Sequence, residues 1–137
     1  MEKELISMKL SRPPGRRSIN ASSLAFDLPA LIENMKHERT WEKGDLNAMI
    51  LLRSTTKQIV LTILHKGTEI RSFQANDSIT FQVIDGRLEL HFRKESITIN
   101  KGELLTIKEK IKYSLYSMEE TAYLLTISAG KLQQAEN

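Results

Sequence analysis

The feature that most constrains this chain is its hydrophobic period. From Ala48 onward apolar residues recur every second position, in short runs broken by turn signals. Arg87-Leu-Glu-Leu-His-Phe-Arg93 is the cleanest run: Leu88, Leu90 and Phe92 fall on one face, and Arg87, Glu89, His91 and Arg93 on the other. Successive side chains of a strand point to opposite faces, so the pattern predicts a half-buried strand. Gln58-Ile-Val-Leu-Thr-Ile-Leu64 and Ser78-Ile-Thr-Phe-Gln-Val-Ile84 are β-branched and apolar. Asp85-Gly86 follows the second and is the dipeptide of a type I′ hairpin. Ser96–Ile99, a turn at Asn100-Lys101-Gly102, then Leu104–Ile107, Tyr113–Tyr116 and Thr121–Ile127 complete the series. Many short strands with regular turns predict an all-β sandwich or barrel.

One segment departs from this period. In Asp27-Leu-Pro-Ala-Leu-Ile-Glu-Asn-Met-Lys-His37 the apolar residues Leu28, Leu31, Ile32 and Met35 follow helical spacing. Asp27 suits an N-cap and Pro29 the first turn, so one short helix is expected over about residues 28–38. A helix this short needs a partner surface, and the barrel wall is the available one. Trp41 follows the helix and reads as an anchor for the connection.

The chain has 137 residues, which suits one domain with one core. The expected organisation is an extended basic arm over 1–22, a single barrel domain over 23–130 and a frayed tail over 131–137. Arg12-Pro13-Pro14-Gly15 blocks helix in the arm. Residues 1–17 hold five basic and two acidic groups; the 20 basic and 17 acidic groups of the whole leave 15 of each for the rest. The body is therefore neutral, and the arm reads as solvated rather than as a nucleic-acid contact. With no cysteine there is no disulfide frame, thiolate nucleophile or cysteine zinc site. No segment has the apolar length of a signal peptide or a membrane span, so a cytoplasmic location without membrane association is expected.

Two glycine frames carry a resemblance. Gly67 is followed after five residues by Phe73, one further by Ala75, three further by Ile79 and six further by Gly86. Gly102 leads after five residues to Lys108, then to Lys110, Tyr113 and Ser117. Fifteen residues separate the frames. These spacings resemble the two motifs of the cupin superfamily, G-x5-H-x-H-x3-4-E-x6-G and G-x5-P-x-G-x2-H-x3-N. Phe26-Asp-Leu-Pro29, Trp41, Gly44, Asn47 and Phe81–Gly86 are similar to small bacterial cupins with a short helix ahead of the barrel. The resemblance implies a double-stranded β-helix, or jelly-roll barrel. Because relatives of this fold pair through open sheet edges, it also implies a homodimer.

The departures are as informative as the match. Where the motifs place His, His, Glu and His, this chain has Phe73, Ala75, Ile79 and Tyr113. A divalent cation needs several converging nitrogen, oxygen or thiolate donors. Three hydrocarbon side chains and one phenol do not supply them, so no metal and no cofactor is expected. Alternation places Phe73, Ala75, Ile79, Phe81, Val83, Tyr113 and Leu115 inside the barrel. They read as a filled apolar core or, where Ala75 leaves room, as a pocket for a small apolar or weakly polar ligand oriented by Tyr113.

Elsewhere catalytic signals are sparse. His37, His65 and His91 are not spaced as ligand pairs and read as surface residues. No G-x-S-x-G elbow occurs. The metal-free sugar epimerases of the resembled fold use a histidine base and a tyrosine acid, and no inward histidine is expected beside Tyr113 or Tyr123. Tyr116 and Tyr123 read as ordinary strand aromatics, and Glu119-Glu120 as a solvated turn. Lys108-Glu109-Lys110-Ile111-Lys112 is a basic loop at the barrel mouth, read as a solubility feature before an anion site. No catalytic residue is assigned. The expected function is a metal-free, non-catalytic module for small-molecule binding, sensing or subunit interaction. The competing expectation is a cupin enzyme, of isomerase or oxygenase type, with relocated ligands or no metal.

Overall fold

A computed structural model describes residues 17–20, 23–74 and 76–128. The period-two segments become strands and the helical segment a pair of short helices. A small antiparallel pair, β1 (Arg17–Asn20) and β2 (Ser23–Ala25), precedes α1 (Leu28–Met35) and α2 (Arg39–Lys43). The barrel follows: β3 (Leu46–Arg53), β4 (Lys57–Leu64), β5 (Glu69–Gln74), β6 (Ser78–Asp85), β7 (Arg87–His91), β8 (Ser96–Asn100), β9 (Leu104–Ile107), β10 (Lys112–Ser117) and β11 (Thr121–Ser128). One sheet has the order β5-β10-β7-β8 and the other β3-β4-β11-β6-β9. Their neighbours pair antiparallel, giving the jelly-roll architecture expected from the sequence.

The apolar residues separate into two cores. The first fills the space between the sheets and includes Val60, Leu64, Phe81, Leu90, Leu115, Tyr123 and Leu125. The second lies on the outer face of the five-stranded sheet, where Leu31 and Met35 of α1 and Trp41 of α2 cover Met49, Leu61 and Ile63. This explains the near-continuous apolar run of β4. Val60 and Leu64 serve the barrel while Leu61 and Ile63 serve the helices, so neither face needs polar residues. Each such buried side chain contributes roughly 1.5–3 kcal/mol.

The helix is shorter than the sequence suggests. Asp27 caps it as expected, with Oδ1 accepting from the Ala30 N–H at 3.2 Å. It ends at Met35, however, and a second helical turn begins at Arg39. The break is stitched to β3 by buried Asn47, whose Nδ2 donates to the Met35 carbonyl at 3.1 Å and to Glu38 Oε1 at 2.8 Å. The bend turns Trp41 onto the sheet, where its ring stacks on His65 at 3.4 Å between centroids. Helical spacing alone does not reveal a break fixed by a residue nine positions away.

The Asp85-Gly86 signal also resolves differently. Gly86 has φ +94°, as a tight turn requires. Yet β6 pairs with β11 and β9, while β7 pairs with β10 and β8. The dipeptide therefore makes a corner between sheets rather than a hairpin. A Cβ at Gly86 would lie 2.6 Å from Thr121 Oγ1 and collide with the Glu120 carbonyl, so position 86 is closed to side chains.

Arg17–Asn20, within the segment expected as an extended arm, pairs with Ser23–Ala25 of the same chain. The rest of that arm, residues 1–16 and 21–22, and the tail over 131–137 lie outside the described residues. Among the described residues no helix is long and apolar enough to cross a membrane.

Candidate functional site

The positions that correspond to metal ligands are built by β5, β6 and β10. Ile79, Phe81 and Val83 of β6 and Tyr113 and Leu115 of β10 are all buried and belong to the barrel core. Phe73 stands opposite Tyr113 in the β5–β10 ladder. Ala75 lies outside the described residues. The Phe81 and Tyr113 rings meet edge to face, 5.8 Å apart at 84°, and the Phe92 ring lies 6.5 Å from that of Tyr113. Edge-to-face pairs are the arrangement favoured by aromatic quadrupoles and contribute about 0.5–1.5 kcal/mol each.

Tyr123 extends this cluster, 5.4 Å from Phe81, and is more than the ordinary strand aromatic expected from the sequence. It is fully buried, and its hydroxyl has no hydrogen-bond partner. Thr62, directly across the β11–β4 ladder, is also buried with an unpartnered hydroxyl. Burial pushes the Tyr123 phenol up, and Thr62 acts weakly against that. The two hydroxyls sense each other without meeting in hydrogen-bond geometry. The signal for Tyr123 was present in its alternation with Leu125 and Ile127. What the alternation lacks is any indication that Thr62 faces it.

The donor set does not fit a metal. Ile79 is hydrocarbon, Tyr113 offers one phenol, and Phe73 stands where an imidazole would be needed. None of the three histidines stands at a ligand position. His65 stacks on Trp41, and its Nε2 lies 2.8 Å from the Trp41 carbonyl oxygen. That half-buried setting corrects the surface reading of His65. His91, on the outer face of β7, places Nδ1 3.0 Å from Ser96 Oγ and Nε2 3.2 Å from Glu89 Oε1. His37 is exposed next to α1. Among the described residues no three His, Asp or Glu side chains are grouped to hold a metal ion.

The two ends of the barrel differ in polar chemistry. At one end Ser117, in the slot where the resembled motif has Asn, is fully buried. Its Oγ donates to the His65 carbonyl at 2.6 Å and accepts from the Thr68 N–H at 2.9 Å. Thr121 Oγ1 accepts from the Arg87 N–H at 3.1 Å and donates to the Glu119 carbonyl at 2.7 Å. The turn acids are not merely solvated: Glu120 pairs with Lys36 at 2.6 Å and Glu119 with Arg87 at 3.6 Å. Hydrogen bonding to Glu120 is the main reason the Lys36 pKa is raised.

At the other end the β7–β8 turn and the β9–β10 loop flank a cleft of about 570 Å³. A second cleft of about 550 Å³ beside it shares Phe92, Arg93 and Lys112 and reaches Tyr113. Lys110 on the loop has φ +66°, a left-handed conformation, at the position where the resembled motif has Gly.

No protein-family model matches the sequence, and no curated protein does. Solved structures do. A cupin superfamily protein from Desulfitobacterium hafniense superposes with TM-score 0.67 at 14% identity, over 87% of this chain and 99% of that one. The EutQ protein of Clostridium difficile superposes with TM-score 0.67 at 16% identity, over 83% and 93%. Salicylate 1,2-dioxygenase of Pseudoaminobacter salicylatoxidans, solved with gentisate, gives TM-score 0.59 at 17% identity, over 67% of this chain and 27% of that one.

Proposed function

We propose, from the premise that this chain has the cupin fold, that it is a metal-free, non-catalytic binding module. The observation that carries the reading is the apolar and aromatic packing around the ligand positions Ile79 and Tyr113. Phe81, Tyr113 and Tyr123 form one buried cluster where imidazoles and a carboxylate would have to converge. Ile79 and Phe81 there contribute to folding and offer no lone pairs, and the neutral phenols of Tyr113 and Tyr123 do not replace three imidazoles and a carboxylate. The buried hydroxyls of Thr62 and Tyr123 sit inside the same core, and among the described residues neither is hydrogen-bonded to a base that would make it a nucleophile or half of an acid–base pair. Binding chemistry is then left to the mouth, where charged groups reach solvent. Pairing with a second copy through the open edges of β3, β5, β8 or β9 is compatible with this reading.

The test is metal content. Protein purified without chelator is expected to carry iron, zinc and manganese far below one equivalent by plasma mass spectrometry. A stoichiometric metal that survives dialysis overturns the proposal.

A further inference from the structure

We propose that the cleft between the β7–β8 turn and the β9–β10 loop binds an organic anion with an apolar body, a carboxylate or phosphate head on a short hydrocarbon. The proposal deepens the binding-module reading above and rests on it for the function of the site. Its first support is charge. Arg93, Lys94, Lys108, Lys110 and Lys112 line the cleft against a single acid, Glu95. Among the described residues none of the five cations is in an ion pair, so all five are open to an external anion. A concave surface lined by one sign of charge concentrates counter-ions of the other.

The second support is the floor. Ile97, Leu105 and Ile107 line the same cleft and are at least partly buried, while Ile111, which also lines it, is 42% exposed. A phosphate-tracking nucleic-acid surface has no use for an aliphatic floor, and a bare inorganic anion would not cover one. A volume of about 570 Å³ is in the range of small-ligand sites. The third support is Lys110. A left-handed backbone is unfavourable for a residue with a side chain, and such strain concentrates at ligand-binding positions. A glycine would adopt the same φ freely but would remove one cation from the rim.

A second copy of this chain is a poorer occupant. A two-fold interface centred on the cleft would oppose the five cations with the same five, and closely opposed like charges repel. An acidic peptide added along the edge of β8 or β9 would satisfy the charge but leaves the aliphatic floor without a specific role.

Titration calorimetry of the full chain with octanoate and with octyl phosphate tests the site, with octanol as the uncharged control. Both anions are expected to bind, and octanol about tenfold more weakly. Raising ionic strength from about 0.05 to 0.5 M should weaken the anions several-fold and leave octanol unchanged. R93E/K110E should lower anion affinity about tenfold or more at an unchanged unfolding midpoint. I111S, which keeps every charge, should weaken octanoate and octanol alike. Equal affinity for octanoate and octanol, indifference to R93E/K110E, or no binding of either anion overturns the proposal. Tighter binding of a glutamate-rich peptide or a DNA oligonucleotide than of octanoate also overturns it. A failure here leaves the metal-content result untouched. A stoichiometric metal would remove the preceding reading whether or not octanoate binds.

Discussion

Where β10 runs into β11, Thr68, Ser117 and Thr121 are buried and each hydroxyl is hydrogen-bonded, and the exposed acids beyond them pair with Lys36 and Arg87. At the opposite end, where β10 begins and β7 ends, Arg93 and four lysines stand around an aliphatic cleft without ion pairs among the described residues. The same barrel thus spends polar groups on structure at one end and leaves them available at the other. The difference teaches where function can reside. A buried, fully bonded network cannot exchange its partners for a ligand without losing stability, whereas a solvated cation can.

The comparison can be broken most sharply at Gly86. Gly86→Ala places a methyl against the Glu120 carbonyl and Thr121 in a backbone with φ +94°, and is expected to cost about 3 kcal/mol. Gly67→Ala shares the positive φ but meets nothing within 4 Å, so it should cost nearer 1 kcal/mol by urea denaturation. Similar losses at the two glycines would mean that backbone strain, and not the packing of this end, sets the effect.

Next in size is Ser117→Ala. It removes two hydrogen bonds of a buried hydroxyl, the one Oγ accepts from the Thr68 N–H and the one it donates to the His65 carbonyl, and should cost about 2 kcal/mol. Lys112→Ala at the mouth should change stability by less than about 0.5 kcal/mol. If the two substitutions had equal effects, the contrast between the ends would not hold.

A smaller effect than that of Ser117→Ala is expected in the core between the two ends. Tyr123→Phe removes an unpartnered buried hydroxyl and is expected to gain about 1 kcal/mol near neutral pH. The sign with pH follows from burial. The folded phenol titrates above its reference value of 10.0, so the unfolded state loses its proton first. Stability is insensitive to this group below pH 10 and falls as pH rises above it. Denaturation curves from pH 8 upward should show that fall in the parent, with the contribution of this tyrosine absent in the Phe variant.

Much of the fold was legible because short-range chemistry carries it. The alternation in Arg87–Arg93 marks β7, Asp27 and Pro29 mark the start of α1, and positive φ occurs at Gly67, Gly86 and Gly102, the retained framework glycines. Partner choice was not local. Asp85-Gly86 encodes a turn angle equally suited to a hairpin or a corner, and only the ladders to β11 and β10 separate them. The end of α1 depends on Asn47 in a strand, and Ser117 gains its role from His65 and Thr68, about fifty residues away.

For the site, sequence by itself determined which donors exist: the residues at the four ligand positions cannot become a carboxylate and three imidazoles in any fold. It also determined a basic loop over residues 108–112. Tertiary structure alone decided that Arg93 and Lys94 join that loop around one cleft, that Tyr123 faces Thr62 inside the barrel, and that the acids at 119 and 120 find cations at 87 and 36. The reason is physical. A side chain's chemistry belongs to its residue, but its partners and its exposure belong to the residues that folding brings beside it.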